Sequence, residues 1–152
     1  MGKIICVANQ KGGVGKTTTA VNLGASIASM KMPTLVVDMD PQGNTTSGLG
    51  INKGKLDKTI YHALISIHPM EDIIISTTMD NLFVAPANAE LIGAEMELFG
   101  MQNREKRLRC SLSAVSHRYT CILIDCPPSL GLLTLNAMTA AHSILVPIQC
   151  EY

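Results

Sequence analysis

The sequence predicts an α/β fold built on a doubly wound, mostly parallel sheet. Short apolar runs, such as residues 4–7, 35–37 and 122–124, alternate along the chain with segments of helical periodicity. These runs are continuously apolar rather than alternating with polar residues, which is typical of parallel strands covered on both faces. Alternation of such strands with helices predicts right-handed crossovers and helices on both faces of the sheet.

Five strands are predicted, together with four helices. The strands cover residues 3–9, 34–38, 81–86, 121–125 and 143–147, and the helices cover 16–30, 89–99, 104–118 and 131–141. Helical spacing places apolar side chains on common faces. These sets are Leu23, Ile27 and Met30 in the first helix, Ile92, Met96 and Phe99 in the second, and Leu108, Leu112 and Val115 in the third. Gly24, Ala25 and Ala28 would let the first helix approach the sheet closely, and residues 48–58 are the most loop-like stretch.

The composition fits one domain, residues 1–152. Apolar residues make up 47% of the chain and charged residues 16%, which is enough for a buried core. The 12 basic and 12 acidic residues balance, so charge alone predicts no general attraction to nucleic acid or acidic membranes. The longest apolar segment, 130–146, is interrupted by polar residues such as Asn136 and His142, which favours a packed helix and strand. We therefore expect no membrane contact.

The five cysteines favour buried thiols over disulfides or a metal site. They contain no C-x-x-C pair, and Cys6, Cys121 and Cys126 lie in or beside apolar strand-like runs. Unpaired buried thiols are typical of a reducing cytosol, so a cytoplasmic location is expected.

A glycine-rich segment after the first strand has the pattern of a phosphate-binding loop. Its residues are Lys11, Gly12, Gly13, Val14, Gly15, Lys16, Thr17 and Thr18. Glycines let the backbone wrap around an anion, and the following helix presents its positive N-terminus to the same phosphates. Lys16 is expected to reach the β- and γ-phosphates of a nucleoside triphosphate, and the Thr17 hydroxyl to hold Mg²⁺. The fold is therefore expected to be of the P-loop NTPase type.

The loop departs from the usual pattern in two ways. Gln10 stands where the first glycine of G-x-x-x-x-G-K-[ST] would fall, and Lys11 adds a second lysine at the start of the loop. A lysine there cannot easily fold back onto phosphates that its own loop encloses. Lys11 is therefore expected to serve a neighbouring molecule.

Two of the predicted strands end in an acid, Asp38 and Asp125. Ligands of open parallel sheets bind beyond the carboxyl ends of the strands, so both carboxylates should face the crevice of the loop. With Thr17 they are the predicted metal ligands, Asp125 acting through a water. Asp40 is the acid best placed to position a hydrolytic water, although a turn or helix-capping role is the alternative. Residues 127–131 form a second stiff loop beside the predicted metal.

Together these residues closely resemble the ParA/Soj family of chromosome- and plasmid-partitioning ATPases, in the deviant Walker A group that includes MinD-type proteins. The matching segments are 11–18, 38–44, 122–131 and 147–152, and the likeness covers essentially the whole chain. The resemblance implies ATP and Mg²⁺ as cofactors, with Lys16, Thr17 and Thr18 binding them. It also implies that Lys11 crosses a dimer to the partner's phosphates, that Asp40 supports the hydrolytic water, and that Asp125 is the Walker B acid.

The resemblance further implies a bacterial, nucleoid-associated switch. Family members form a homodimer with ATP that coats DNA non-specifically, and a ParB-like centromere-binding protein stimulates hydrolysis. They continue past residue 152, in a portion that carries adenine recognition, part of the dimer contact and the main DNA-binding residues. We therefore expect a C-terminally truncated chain. The basic residues Arg104, Lys106, Arg107, Arg109 and Arg118 are expected to form a solvated face rather than a DNA contact.

Three other functions remain as alternatives. The first is a non-catalytic nucleotide-binding or interaction fragment. A GTPase is disfavoured, because the pair Asn52-Lys53 is not followed by the Asp of the guanine-reading motif. An iron–sulfur reductase of the nitrogenase type would share the loop, but Cys126 lies inside the partition-type motif instead.

Overall fold

A six-stranded sheet forms the centre of the computed structural model, which describes residues 2–13 and 15–150. The strands are β1 (Lys3–Val7), β2 (Thr34–Asp38), β3 (Ile75–Ser76), β4 (Leu82–Ala85), β5 (Cys121–Asp125) and β6 (Ser143–Leu145). Their order is β3-β4-β2-β5-β1-β6, and the pairs are parallel except for β3 with β4, which is antiparallel. The predicted mostly parallel α/β fold is confirmed.

Helices cover both faces of this sheet. They are α1 (Lys16–Ser29), α2 (Asn44–Gly48), α3 (Ile60–Leu64), α4 (Leu91–Phe99), α5 (Arg107–Ser113) and α6 (Leu132–Ala140), with single 3₁₀ turns at Lys53–Lys55, Met70–Asp72, Arg104–Lys106 and Ser116–Arg118. Helix α1 packs on one face in a small core with Val7, Val36 and Leu82. The larger core on the other face includes residues of α3, α4, α5 and α6. The sheet is thus doubly wound.

The described residues contain no helix that is both long and apolar enough to cross a bilayer.

The chain winds in opposite directions on the two sides of β1. From β1 it passes through α1 to β2, whereas from β5 it passes through α6 to β6 on the far side of β1. In such a sheet a crevice opens between the two strands where the winding of the chain reverses, beyond the carboxyl ends of the strands. The ends of β1 and β5 therefore define the candidate functional site.

Small residues let α1 lie against the sheet. Ala20, Gly24 and Ala28 are buried, and a Cβ built on Gly24 would lie 2.9 Å from Cγ2 of Val36. The expected close approach at Gly24 and Ala28 is confirmed. Met30, in contrast, is 60% exposed and lies beyond the end of the helix.

The face predicted for α4 is largely exposed. Ile92, Met96 and Phe99 are 63%, 83% and 70% exposed, whereas Leu91, Ala94 and Leu98 are buried. This helix is apolar on more than one side, so periodicity alone does not identify the side that faces the core. The interpretation of those three side chains as one helical face was right, but that face is not the buried one.

The helix predicted over 104–118 is broken into three parts, Arg104–Lys106, Arg107–Ser113 and Ser116–Arg118. A continuous helix would join the Leu108 N–H to the Arg104 carbonyl. Instead the Asn136 side chain lies between them: its Oδ1 accepts from Leu108 N at 3.1 Å, and its Nδ2 donates to Arg104 O at 2.8 Å. The apolar positions Leu108, Leu112 and Val115 are nevertheless buried as expected.

Replacing Asn136 with Ala is expected to destabilise the fold. The side chain is fully buried, and its loss would leave Leu108 N and Arg104 O without these partners. An unsatisfied buried polar group costs about 1–3 kcal/mol, so a loss of about 2–4 kcal/mol in the free energy of unfolding is expected from urea titrations. Thr139→Ala, one turn later on α6, is the matched control and should change it by less than about 1 kcal/mol. Equal stabilities for the two variants would contradict the bridging role.

The remaining differences between the predicted and the observed elements concern the ends of strands and three short elements. Strands predicted over 3–9, 81–86 and 143–147 are shorter, at Lys3–Val7, Leu82–Ala85 and Ser143–Leu145. Three short elements were not predicted: β3, α2 and α3, which have two, five and five residues. Elements this short carry too few residues for a periodic pattern.

Candidate nucleotide-binding site

The glycine-rich loop joins β1 to α1. Gly13 and Gly15 have positive φ angles of 71° and 83°, a conformation that side-chain-bearing residues rarely adopt. Lys16 is buried, and its Nζ donates to the Lys11 carbonyl at 3.0 Å, while Lys11 N donates to Asn9 Oδ1 at 2.9 Å. Val14 lies outside the described residues. The loop is thus folded into a turn with an ammonium group held inside it.

Helix α1 begins in this loop at Lys16, with Gly15 as its N-cap. The first N–H groups of a helix have no intrahelical partner and carry part of the positive end of the helix dipole. No acidic side chain occupies the first turn of α1. The backbone at Lys16, Thr17 and Thr18 is therefore suited to bind an anion such as phosphate.

Asp125, at the end of β5, is linked to two threonines. Its Oδ2 accepts from Thr17 Oγ1 at 2.8 Å and from Thr45 Oγ1 at 2.6 Å. Its other oxygen, Oδ1, is buried and has no donor among the residues that the structure describes. Burial raises the pKa of this carboxyl, although both hydroxyls oppose the shift. An unpaired carboxylate oxygen beside a threonine hydroxyl fits a divalent cation, which would replace the missing donor.

Asp38, at the end of β2, holds the following loop and helix. Its Oδ2 accepts from Thr46 N at 2.9 Å and from Thr46 Oγ1 at 2.7 Å, and its Oδ1 accepts from Asp40 N at 3.1 Å. Thr46 Oγ1 in turn accepts from Ala87 N at 2.9 Å. Burial raises the pKa of Asp38 to about 6, against the opposing effect of the Thr46 hydrogen bonds. These contacts fix the loop at the edge of the crevice.

The raised pKa of Asp38 predicts a pH-dependent contribution to stability. Because the folded value is about 6 and the ordinary value is 3.8, the unfolded chain releases this proton first as the pH rises. The free energy of unfolding should therefore fall between about pH 4 and pH 6, by on the order of 3 kcal/mol from this group, and level off above. Urea unfolding across this range should show the fall in wild type and a smaller one in Asp38→Asn. Identical pH profiles for both would contradict the assignment, and the exposed Asp57→Asn serves as control.

Asp40 lies in a tight turn at the mouth of the crevice. Only 8% of it is exposed, and its Oδ1 accepts from Gln42 N at 2.9 Å. Gly43 has a positive φ of 63°, and a Cβ there would lie 2.8 Å from the Ala87 carbonyl, so this position requires glycine. Lys53 Nζ donates to the Gln42 carbonyl at 2.6 Å and ties the turn to the next segment.

The loop, α1 and the Asp40 turn enclose a crevice of about 560 Å³, within the range of small-ligand sites. Its lining residues are Gly12, Gly13, Gly15, Lys16, Thr17, Thr18, Asp40, Gln42, Asn44, Cys126, Pro128 and Gln149. Most of the predicted site residues are thus brought together. Asp125 lies beneath Thr17, and Asp38 lies behind the Asp40 turn through its bond to Asp40 N.

Two buried threonines behind the crevice and one residue that lines it were not anticipated individually. Thr45 and Thr46 contact the two strand-end acids directly, yet only their position just after the 38–44 motif marks them in the sequence. Gln149 lines the crevice from beyond β6; it lies in the matching segment 147–152 but was not predicted to be a site residue.

The three cysteines predicted in or beside strands follow the prediction. Cys6, Cys121 and Cys126 are buried free thiols, whereas Cys110 and Cys150 are exposed. Cys6 and Cys126 lie next to each other, with their Sγ atoms 3.2 Å apart.

Comparison with known proteins agrees with this geometry. The sequence model of a family described as an AAA domain matches residues 2–152. Over all 152 residues the chain is 57% identical to the chromosome partitioning protein ParA of Myxococcus xanthus and 56% identical to the sporulation initiation inhibitor protein Soj of Bacillus subtilis. It spans 54% and 60% of the lengths of these two relatives.

A solved structure with the same fold contains a ligand of the expected kind. Cobyrinic acid a,c-diamide synthase from Mycobacterium smegmatis, crystallised with ADP and magnesium, aligns with a TM-score of 0.97 and 41% identity. The alignment covers 100% of this chain and 62% of that protein. Nucleotide and Mg²⁺ binding thus occur in this fold family. The chain belongs to the AAA-domain family and, over its whole length, is similar in sequence to the ParA and Soj partition proteins.

Proposed function

We propose that the chain is the phosphate- and Mg²⁺-binding part of an ATP-hydrolysing switch of the ParA/Soj type. The observation that carries the proposal is the pairing of the Lys16 loop with Asp125, whose Oδ1 is buried without a donor among the described residues. A triphosphate needs cationic and N–H donors, and its Mg²⁺ needs a carboxylate and a hydroxyl. Both requirements meet at Thr17, which lines the crevice and donates to Asp125.

Each site residue then has a role. Residues 12–18 supply backbone donors to the phosphates, and Lys16 exchanges its bond to the Lys11 carbonyl for phosphate oxygens. Thr17 and Asp125 hold Mg²⁺, which would neutralise phosphate charge when bound. Asp38 stays a predicted metal ligand, and its contacts with Thr46 and Asp40 N support a second role in holding the Asp40 turn. Asp40, which lines the crevice, orients the hydrolytic water.

The finer parts of the proposal follow from the resemblance to the ParA/Soj family. We propose a cytoplasmic protein that forms an ATP-bound homodimer on DNA, with Lys11 reaching the partner's phosphates and a ParB-like protein stimulating hydrolysis. The chain spans little more than half of the ParA and Soj relatives, so these activities belong to the whole protein. The alternative is a nucleotide-binding module without turnover.

Phosphate release from ATP separates these two functions. The switch predicts slow release by the wild-type protein, increased by DNA and a ParB-like partner and lost in Asp40→Ala, while the exposed control Asp57→Ala keeps it. Binding of ATP with no phosphate release under any of these conditions would favour the non-catalytic module. Sedimentation with ATP against ADP tests the dimer, which Lys11→Ala should weaken.

A further inference from the structure

The two neighbouring thiols beneath the crevice have no part in the proposed phosphate chemistry. Cys6 lies opposite Ile124 in the register of β1 and β5, and Cys126 follows Ile124 by two residues, so both side chains share one face of the sheet. They are 0% and 1% exposed, and their Sγ atoms are 3.2 Å apart. A disulfide requires about 2.05 Å, so the sulfurs need to approach by only roughly 1.2 Å.

From this geometry we propose that Cys6 and Cys126 are a redox modification site, which forms an intramolecular disulfide when the protein meets a peroxide. Hydrogen peroxide oxidises one thiol to a sulfenic acid and releases water. The second sulfur attacks the sulfenic sulfur, forming the S–S bond and releasing a second water. Two thiols together lose two electrons and two protons, and the O–O bond of the peroxide takes them up.

The crevice is the side from which an oxidant is expected to approach this pair. Cys126 borders the crevice together with Lys16 and Thr17. Because the two residues are 0% and 1% exposed, we expect a small peroxide to enter from the phosphate space as the protein fluctuates. Cys121, in contrast, is a buried thiol at the opposite end of β5. It is therefore the matched cysteine that should not join the disulfide.

The same position links the disulfide to the phosphate loop. Cys126 is followed by Pro127 and Pro128, and a Cβ built on Gly12 would lie 3.9 Å from Cβ of Pro128. Drawing Cys126 toward Cys6 would shift this stiff segment beneath Gly12. We expect the oxidised chain to bind nucleotide about tenfold more weakly, a change of about 1.4 kcal/mol. This second effect rests on the proposed function, whereas disulfide formation does not.

Peptide mapping after peroxide treatment tests the modification. The exposed thiols are first removed as Cys110→Ser and Cys150→Ser, and the folded chain is then treated with hydrogen peroxide without denaturant. The expected product is one Cys6–Cys126 linked peptide, about 2 Da lighter than the two separate peptides. The link should persist in Cys121→Ala and disappear in Cys6→Ala or Cys126→Ala. Two results would overturn the proposal. One is that Cys6 and Cys126 stay reduced in the wild-type chain under conditions in which peroxide fully oxidises Cys110. The other is a disulfide that includes Cys121.

Titration with a fluorescent ATP analogue tests the link to the crevice. The oxidised chain should bind about tenfold more weakly than the reduced chain, and dithiothreitol should restore the affinity. Equal affinities of oxidised and reduced chain would overturn this link. Absence of binding by the reduced chain would instead count against the proposed function and leave the mapping result unaffected.

Discussion

Replacing Lys16 with Ala is expected to weaken ATP binding about 10- to 100-fold. The ammonium group is buried at the base of the loop, where it donates to the Lys11 carbonyl at 3.0 Å. Phosphate oxygens would be stronger acceptors than this carbonyl, and a hydrogen bond between charged groups contributes about 1.5–3 kcal/mol. Titration of wild type and variant with a fluorescent ATP analogue in Mg²⁺ measures the loss.

Lys3→Ala is the matched control for this titration. Lys3 is an exposed lysine at the amino end of β1, the end of the strand away from the crevice. Its removal changes net charge by the same amount and should leave the affinity within about twofold of wild type. Equal weakening by both substitutions would show that general charge, rather than the loop, attracts the nucleotide.

Replacing Asp125 with Asn is expected to remove the Mg²⁺ dependence of ATP binding without destabilising the protein. The carboxylate is fully buried, and burial raises its pKa, so ionised Asp125 costs stability in the absence of a cation. An amide of the same shape avoids that cost but is a poor Mg²⁺ ligand. The variant should therefore unfold at the same or higher urea concentration at neutral pH, while its ATP affinity becomes insensitive to Mg²⁺.

Two measurements test this prediction. The first is titration with ATP in the presence of Mg²⁺ or of a chelator, and the second is urea unfolding of the same samples. Asp57→Asn removes an exposed acid and should keep the Mg²⁺ response of wild type. An Asp125→Asn variant that keeps that response would place the cation elsewhere. A variant less stable than wild type would mean that the Thr17 and Thr45 bonds outweigh the burial of the charge.

The central sheet was predictable because its strands are marked by composition. β2 and β5 are buried along their whole length, and their sequences are therefore apolar runs, each ending in an acid. The two-residue β3 has no such signature, and the break before α5 depends on Asn136, which is 28 residues from Leu108. Sequence periodicity reports local structure only. It therefore cannot predict a helix break that is caused by a side chain from a distant helix.

The candidate site was also predictable in its main parts, the phosphate loop and the strand-end acids, but not in the contacts around them. The phosphate loop is one contiguous segment, and parallel pairing of β1, β2 and β5 brings Asp38 and Asp125 to one edge of the sheet. The sequence motifs did not predict the hydrogen bonds around these acids, above all those from Thr45 to Asp125 and from Thr46 to Asp38. These depend on how α2 returns to the strand ends, which follows from tertiary packing at Gly43 and Ala87 rather than from a motif.

Calorimetric titration of ATP into the wild-type chain shows directly whether the crevice binds a triphosphate with Mg²⁺. We expect saturable binding to a single site per chain, stronger with Mg²⁺ than with a chelator, and lost or greatly weakened in Lys16→Ala. A folded wild-type chain that takes up no ATP in the presence of Mg²⁺ would contradict this expectation.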